Sequence, residues 1–107
     1  MATEESKVKA KVKQVLKRYN CWTDWPVPGG YGKSSLDCIG CVGGYFFSIE
    51  TKKEGGKPTD LQRLTMLQMQ DAGGAVFVID TTDEKAECFQ ALISFLDAFN
   101  MHPEHFK

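Results

Sequence analysis

The sequence predicts a mixed α/β domain, a β-sheet flanked by helices in the order α-β-β-α-β-α, with room for a further strand near residue 25. Three observations predict it. A lysine-rich segment near the start carries an apolar stripe at helical spacing. Two apolar, strand-like runs are separated by Gly43-Gly44 alone. The second half alternates a helix-capping signature, the segment GGAVFVID and another apolar helical stripe. The length of 107 residues fits one domain spanning 1–107.

The first helix is expected over residues 4–19. Val8, Val12, Val15, Leu16 and Tyr19 fall on one face, and Lys7, Lys9, Lys11, Lys13 and Lys17 cover the rest. The following CWTDWPVPGGYGKSS reads as an irregular loop with a short strand near Trp22. Leu36–Val42 and Tyr45–Lys52 form the hairpin strands. After the loop EGGKP, Thr59 is placed as an N-cap and Gln62 three residues on completes a capping box. That helix runs to Ala72 and stops at Gly73-Gly74, and Ala75–Asp80 forms a short buried strand. Asp83 is placed as the cap of a last helix whose core face is Phe89, Leu92, Ile93, Leu96 and Phe99.

Composition narrows the class. Hydrophobic residues at 42% and charged residues at 25% suit a globular domain. No apolar run approaches the ~20 residues that span a bilayer, and the polar start MATEESKVKAK has no signal-peptide core. A location inside the cell, in the cytoplasm, is expected. The net charge of −1 hides an asymmetry: residues 1–58 carry ten Lys/Arg against six Asp/Glu, and residues 59–107 three against eight. A basic half can face phosphates, although on charge alone a solvated, lysine-rich first helix is the preferred reading. Cys38-x-x-Cys41 invites a zinc or redox reading, but His102 and His105 sit alone and no second close pair completes a tetrahedral set. On a strand, an offset of three also sends the two thiols to opposite faces. The four cysteines are read as buried structural thiols.

The hairpin carries the chemistry. A two-residue turn at Gly43-Gly44 pairs Val42 with Tyr45 and, continued outward, sets Asp37 opposite Glu50. Directly opposed residues have Cβ atoms about 4.5–5.5 Å apart. Two carboxylates so placed repel, and one resists ionising unless a cation lies between them. Hard oxygen donors of this kind suit Mg²⁺ or Mn²⁺. Lys52 follows Glu50 by two residues and projects from the same face. There it can orient or deprotonate an attacking water and stabilise charge on a phosphate. The plain alternative is an ordinary charged, solvent-facing edge.

Asp37, a dozen intervening residues and Glu50-x-Lys52 resemble the PD-(D/E)XK nuclease signature, and more narrowly its VRR-NUC branch, which includes small stand-alone phage proteins. The matching stretch runs from Gly32 to Asp80, through IETK, a Gly-Lys loop, Gln62 and GGAVFVID, and Glu5 matches an extra acidic residue in the first helix. The resemblance implies a restriction-endonuclease-like core, phosphodiester hydrolysis with Mg²⁺ or Mn²⁺, DNA as substrate and, for a phage protein, the cytoplasm of a bacterial host. It implies Asp37, Glu50 and the carbonyl of Thr51 as metal ligands and Lys52 as the catalytic lysine. Gln62 would position water or phosphate, and Glu5, with Glu4 as its rival, would act through the metal's waters. Lys33, Lys53 and Lys57 are candidate phosphate contacts. The family's proline before the aspartate is Leu36 here.

Several functions remain open at this level. A structure-selective enzyme of the four-way-junction type is expected, with a nickase, a flap nuclease or an inactive DNA-binding domain as alternatives. A twofold homodimer is expected, with Phe95, Met101 and Phe106 of the last helix and tail as its contact. GYGKSS resembles the end of a P-loop, but Val27 stands where that motif needs glycine, and a strand follows instead of a helix.

Overall fold

The computed structural model describes residues 3–26 and 36–101. Lys33, Phe106, both histidines and the P-loop-like segment lie outside the described residues. The elements are α1 (Glu4–Leu16), β1 (Cys21–Asp24), β2 (Cys38–Val42), β3 (Tyr45–Thr51), α2 (Asp60–Asp71), β4 (Ala75–Ile79) and α3 (Glu87–Phe99). The further strand expected near residue 25 is β1. Four strands form one sheet in the order β1-β2-β3-β4. The first three are antiparallel, and β4 runs parallel to β3 after the α2 crossover.

The hairpin turn follows from its two glycines. Gly43 has φ +57° and Gly44 φ +87°, so both turn positions are left-handed, as a type I′ connection requires. A side chain at Gly43 would also collide with the Phe99 carbonyl. The resulting register pairs Val42 with Tyr45 and Cys38 with Ile49, as expected. It stops there: Leu36 and Asp37 precede β2 instead of opening it.

One sheet face carries the core. Cys38, Val42, Phe47, Ile49 and Ile79 are buried against Val8, Val12, Val15 and Leu16 of α1 and Phe89, Leu92 and Leu96 of α3. The alternate residues of β3 face α2, whose Gln62 bonds Glu50. This helix buries only Met66 and leaves Leu64 and Leu67 more than half exposed. Its ends match their sequence signals. Thr59 and Gln62 form the reciprocal capping box. The N–H groups of Gly73 and Gly74 donate to the carbonyls of Gln70 and Met69, a complete Schellman motif.

Four expectations need correction. The first helix ends at Leu16, three residues early, because the N–H groups of Arg18 and Tyr19 donate three residues back, to Val15 and Leu16, and tighten the last turn. Tyr19 still packs against the core, and its hydroxyl donates to Asp97 Oδ1 at 2.7 Å. Asp83 does not cap α3; its carboxylate accepts from the Lys85 N–H in the turn before, and the N-cap is Ala86 without a side-chain bond. The β4 strand is half-buried except at Ile79, because it forms the sheet edge. Phe95 is not left off the packed face. Its ring meets those of Phe47, Phe77 and Phe99 at centroid distances of 5.9, 5.4 and 5.1 Å, so it is used inside the molecule.

Cys38 and Cys41 lie on opposite faces of β2, as expected of an offset of three, and all four thiols are free. The reading of buried structural thiols holds for Cys38 alone, because Cys41 is exposed on the outer face of the strand and Cys21 and Cys88 are partly buried. No helix among the described residues is long and apolar enough to cross a membrane.

Gly40 holds β1 close. A Cβ there would stand 2.5 Å from the Trp22 carbonyl oxygen and 2.8 Å from Phe47 Cζ. Gly40→Ala is expected to cost ~1–3 kcal/mol, the usual range for overpacking. Urea unfolding checks it; an unchanged midpoint would show that β1 yields without loss.

Candidate active site

The site forms where the β2–β3 ladder ends. Its groups come from four places: Asp37 before β2, Glu50 and Thr51 at the end of β3, Lys52 just beyond, and Gln62 in the first turn of α2. Glu50 is 2% exposed and Thr51 fully buried. Short-range bonds hold both carboxylates. The Asp37 N–H donates to Glu50 Oε2 at 3.3 Å. The Thr51 N–H and hydroxyl donate to Asp37 Oδ2 at 2.8 and 2.7 Å.

This differs in detail from a direct cross-strand pair. Asp37 lies outside the strand, and its carboxylate turns to Thr51 while its amide faces Glu50. The two acids still meet at the mouth of the hairpin, but Asp37 is clamped by the residue after Glu50. The resemblance nominates the Thr51 carbonyl as a ligand; the structure adds a clamping role for its N–H and hydroxyl.

Gln62 serves two masters. Its Oε1 accepts from the Thr59 N–H at 2.9 Å, and its Nε2 donates to Glu50 Oε1 at 3.0 Å. The capping role and the site role are therefore one conformation, and α2 cannot start elsewhere without releasing Glu50. Lys52 Nζ lies 3.6 Å from Glu50 Oε1, with its side chain 18% exposed.

Lys9 was not singled out by sequence pattern, yet its Nζ lies 3.8 Å from Asp37 Oδ1. One signal could have found it. It follows Glu5 by one helical turn, so the two share a face of α1. Glu5 itself is exposed. Among the described residues no three His, Cys, Asp or Glu side chains gather into a metal-binding group, so Glu5 is not brought together with Asp37 and Glu50. Lys53 and Lys57 are exposed on the loop between Lys52 and α2.

Burial pushes the Glu50 carboxyl up from 4.5 to about 7; the Asp37 carboxylate adds to the rise and Lys52 opposes it. The donors present fit a hard divalent cation. They are carboxylate oxygens, one of them buried in a setting that disfavours its charge despite an ammonium and an amide nearby.

No protein-family model matches the sequence, and no curated protein matches it. A solved structure described as a VRR_NUC domain is similar to it, with a TM-score of 0.67 and 20% sequence identity, covering 92% of this chain and 99% of that one. The chain thus has the fold that the resemblance implies, a mixed four-stranded sheet with three helices.

The folded-state value for Glu50 lies above the unfolded one. Its contribution to stability is therefore present in full below about pH 4.5 and is lost as the pH rises through about 7. In EDTA, Glu50→Gln is expected to melt close to the wild type at pH 4.5 and above it at pH 8, by an amount on the order of 3 kcal/mol. Thermal melts of both proteins across this range check it. A gap that shrinks toward pH 8 would contradict the assigned burial.

Proposed function

We propose that the chain is a VRR-NUC-type endonuclease that hydrolyses DNA phosphodiester bonds with Mg²⁺ or Mn²⁺. The observation that carries the reading is the meeting of Asp37 and a buried Glu50 at the hairpin mouth, with the Lys52 ammonium 3.6 Å from Glu50. Asp37, Glu50 and the Thr51 carbonyl would hold the metal. When bound, the metal lowers the pKa of the attacking water and polarises the phosphate.

The chain's own groups do the rest. Thr51 fixes the Asp37 carboxylate with two hydrogen bonds, so little ordering is left for the reaction. Gln62 holds one oxygen of Glu50 and leaves the other toward Asp37. Lys52, largely buried, donates to a non-bridging phosphate oxygen and stabilises the charge that builds there. Lys9 balances Asp37 from the α1 side. Lys53 and Lys57, together with Lys33, would contact flanking phosphates without sequence preference.

One active centre per chain favours a twofold homodimer for cutting both strands of a branched substrate. Because Phe95 is used internally, the exposed Leu64 and Leu67 of α2, beside the β4 edge, are the better contact. A four-way junction has the symmetry such a dimer presents, and it is the preferred substrate in this reading.

Labelled duplex, single-strand, flap and four-way-junction DNAs, incubated with and without Mg²⁺ or Mn²⁺, test the activity. Asp37→Asn is expected to abolish cleavage, and Lys52→Ala to slow it by an amount equivalent to ~3–4 kcal/mol while DNA affinity changes much less. Ca²⁺ should support little turnover. Full activity in EDTA, or normal cutting by Lys52→Ala, would overturn the reading.

Light scattering at micromolar concentration is expected to give a dimer, and paired, symmetric nicks are expected in junctions. Junction binding should weaken steeply with salt. A monomer that cuts flaps and leaves junctions whole would refute the assembly and keep the chemistry.

A further inference from the structure

A second cleft opens on the α1 side of the sheet, separate from the acidic hairpin. It encloses about 340 Å³, and Lys13, Lys17, Tyr19, Thr23 and Trp25 are among the residues that line it. Among the described residues, no acidic side chain lines it. The Lys13 ammonium lies 4.9 Å from the centroid of the Trp25 ring. Lys11 and Arg18 are committed elsewhere, to Glu84 at 2.8 and 2.7 Å. Among the described residues, neither Lys13 nor Lys17 has a carboxylate partner.

The position of this cleft is what gives it a function. Strand β1 ends with Asp24 paired with Ile39, so Trp25, the next residue, leaves the sheet at the end where Asp37 precedes Cys38. The cleft therefore meets the same end of the sheet as the acidic site. Lys9 and Lys13 of α1 and Lys17 at its C-cap recur every four residues and share a face. Lys9 reaches Asp37, Lys13 reaches Trp25 and Lys17 lines the cleft. Each step advances about 6 Å along the helix. A row of ammonium groups thus leads from the acidic site to an aromatic ring.

We propose that this cleft binds an unpaired stretch of the strand being cut, with the Trp25 indole stacked on a base and Lys13 and Lys17 on the adjoining phosphates. The proposal rests on the nuclease reading and adds to it a subsite that holds the strand beside the scissile bond. Aromatic rings joined to basic side chains are the means by which proteins hold single strands without reading sequence, because every base has a π-face to stack. A paired base keeps that face inside the duplex. The subsite would therefore favour strands opened at a branch point or flap over continuous duplex. Lys13, now over the ring, would turn to the phosphate as the base takes its place.

Trp22→Phe leaves Trp25 as the single tryptophan of the two in the chain. This protein is titrated in EDTA with oligothymidylate, and separately with blunt duplex of equal length, while tryptophan emission and the anisotropy of labelled DNA are followed. Saturable quenching by the single strand is expected, with binding to duplex on the order of 10-fold weaker. Lys13→Gln in α1 and Lys17→Gln at its C-cap, both at exposed positions that leave the core intact, should each weaken single-strand binding several-fold and flatten its salt dependence. Trp25→Ala should weaken it on the order of 10-fold, and the lysine variants keep the test decisive if that protein does not fold.

Single-strand binding that leaves Trp25 emission and the lysine variants' affinity unchanged would overturn the subsite. Metal-dependent cleavage in the same preparation would then leave the nuclease reading standing. Saturable quenching without cleavage in Mg²⁺ or Mn²⁺ would support the cleft and remove the nuclease reading. Failure to bind any DNA in EDTA would overturn the subsite, and absence of cleavage in Mg²⁺ or Mn²⁺ as well would overturn the nuclease reading with it.

Discussion

The register of β2 on β3 is the constraint on which the candidate site depends. Two left-handed glycines allow a two-residue turn and no other spacing. A slip of one residue would exchange the two faces of the hairpin, putting Phe47 and Ile49 toward α2 and Glu50 into the apolar core. The close fit of Gly43 against Phe99 ties the same turn to α3. The core and the site are therefore set by one decision, taken at the end of the hairpin farthest from the chemistry.

From that register the acidic centre is assembled with little freedom. Glu50 is buried among strand neighbours, and the energetic cost of its charge is met by an amide from Gln62, an ammonium from Lys52 and the backbone of Asp37. None of these satisfies it fully, and its carboxyl stays near 7. A stable fold could have placed an apolar residue there. A buried acid held in tension with a second acid is a common mark of a functional centre, and it is the main reason to prefer chemistry over a charged edge.

The division of labour across the sheet follows the same logic. The α1–α3 face carries the apolar core, and the aromatic cluster of Phe47, Phe77, Phe95 and Phe99 fills its far side. The α2 face is thinly covered, with Met66 as the buried residue of that helix. Its N-terminus is anchored by a capping box whose glutamine also bonds Glu50. Stability resides mainly on one side and positioning on the other. The lysines of α1 join the two, since that helix buries its valines in the core and extends Lys9 to Asp37.

Much of this was legible in the residues alone. Helix stripes, the Gly-Gly turn, the Thr59–Gln62 box and the apolar strands are local signals, and local backbone physics reads them directly. The turn also carried Asp37 to Glu50, because register propagates along a ladder. What the sequence could not determine was contact between segments distant in the chain. Lys9 is one lysine among five on an amphipathic helix, and only the packing of α1 across the sheet distinguishes it. Phe95 looked spare on a helical wheel because the wheel does not show that α3 meets an aromatic sheet surface on two sides. Asp37 left its predicted strand position because side-chain bonds to Thr51 outcompeted one more ladder pair. Asp83 lost the cap to Ala86 because its carboxylate was taken by a turn one step earlier. In each case the sequence determined which groups were available, and the tertiary structure decided which partner each one met, since burial and hydrogen bonding are settled only when segments remote in sequence come together.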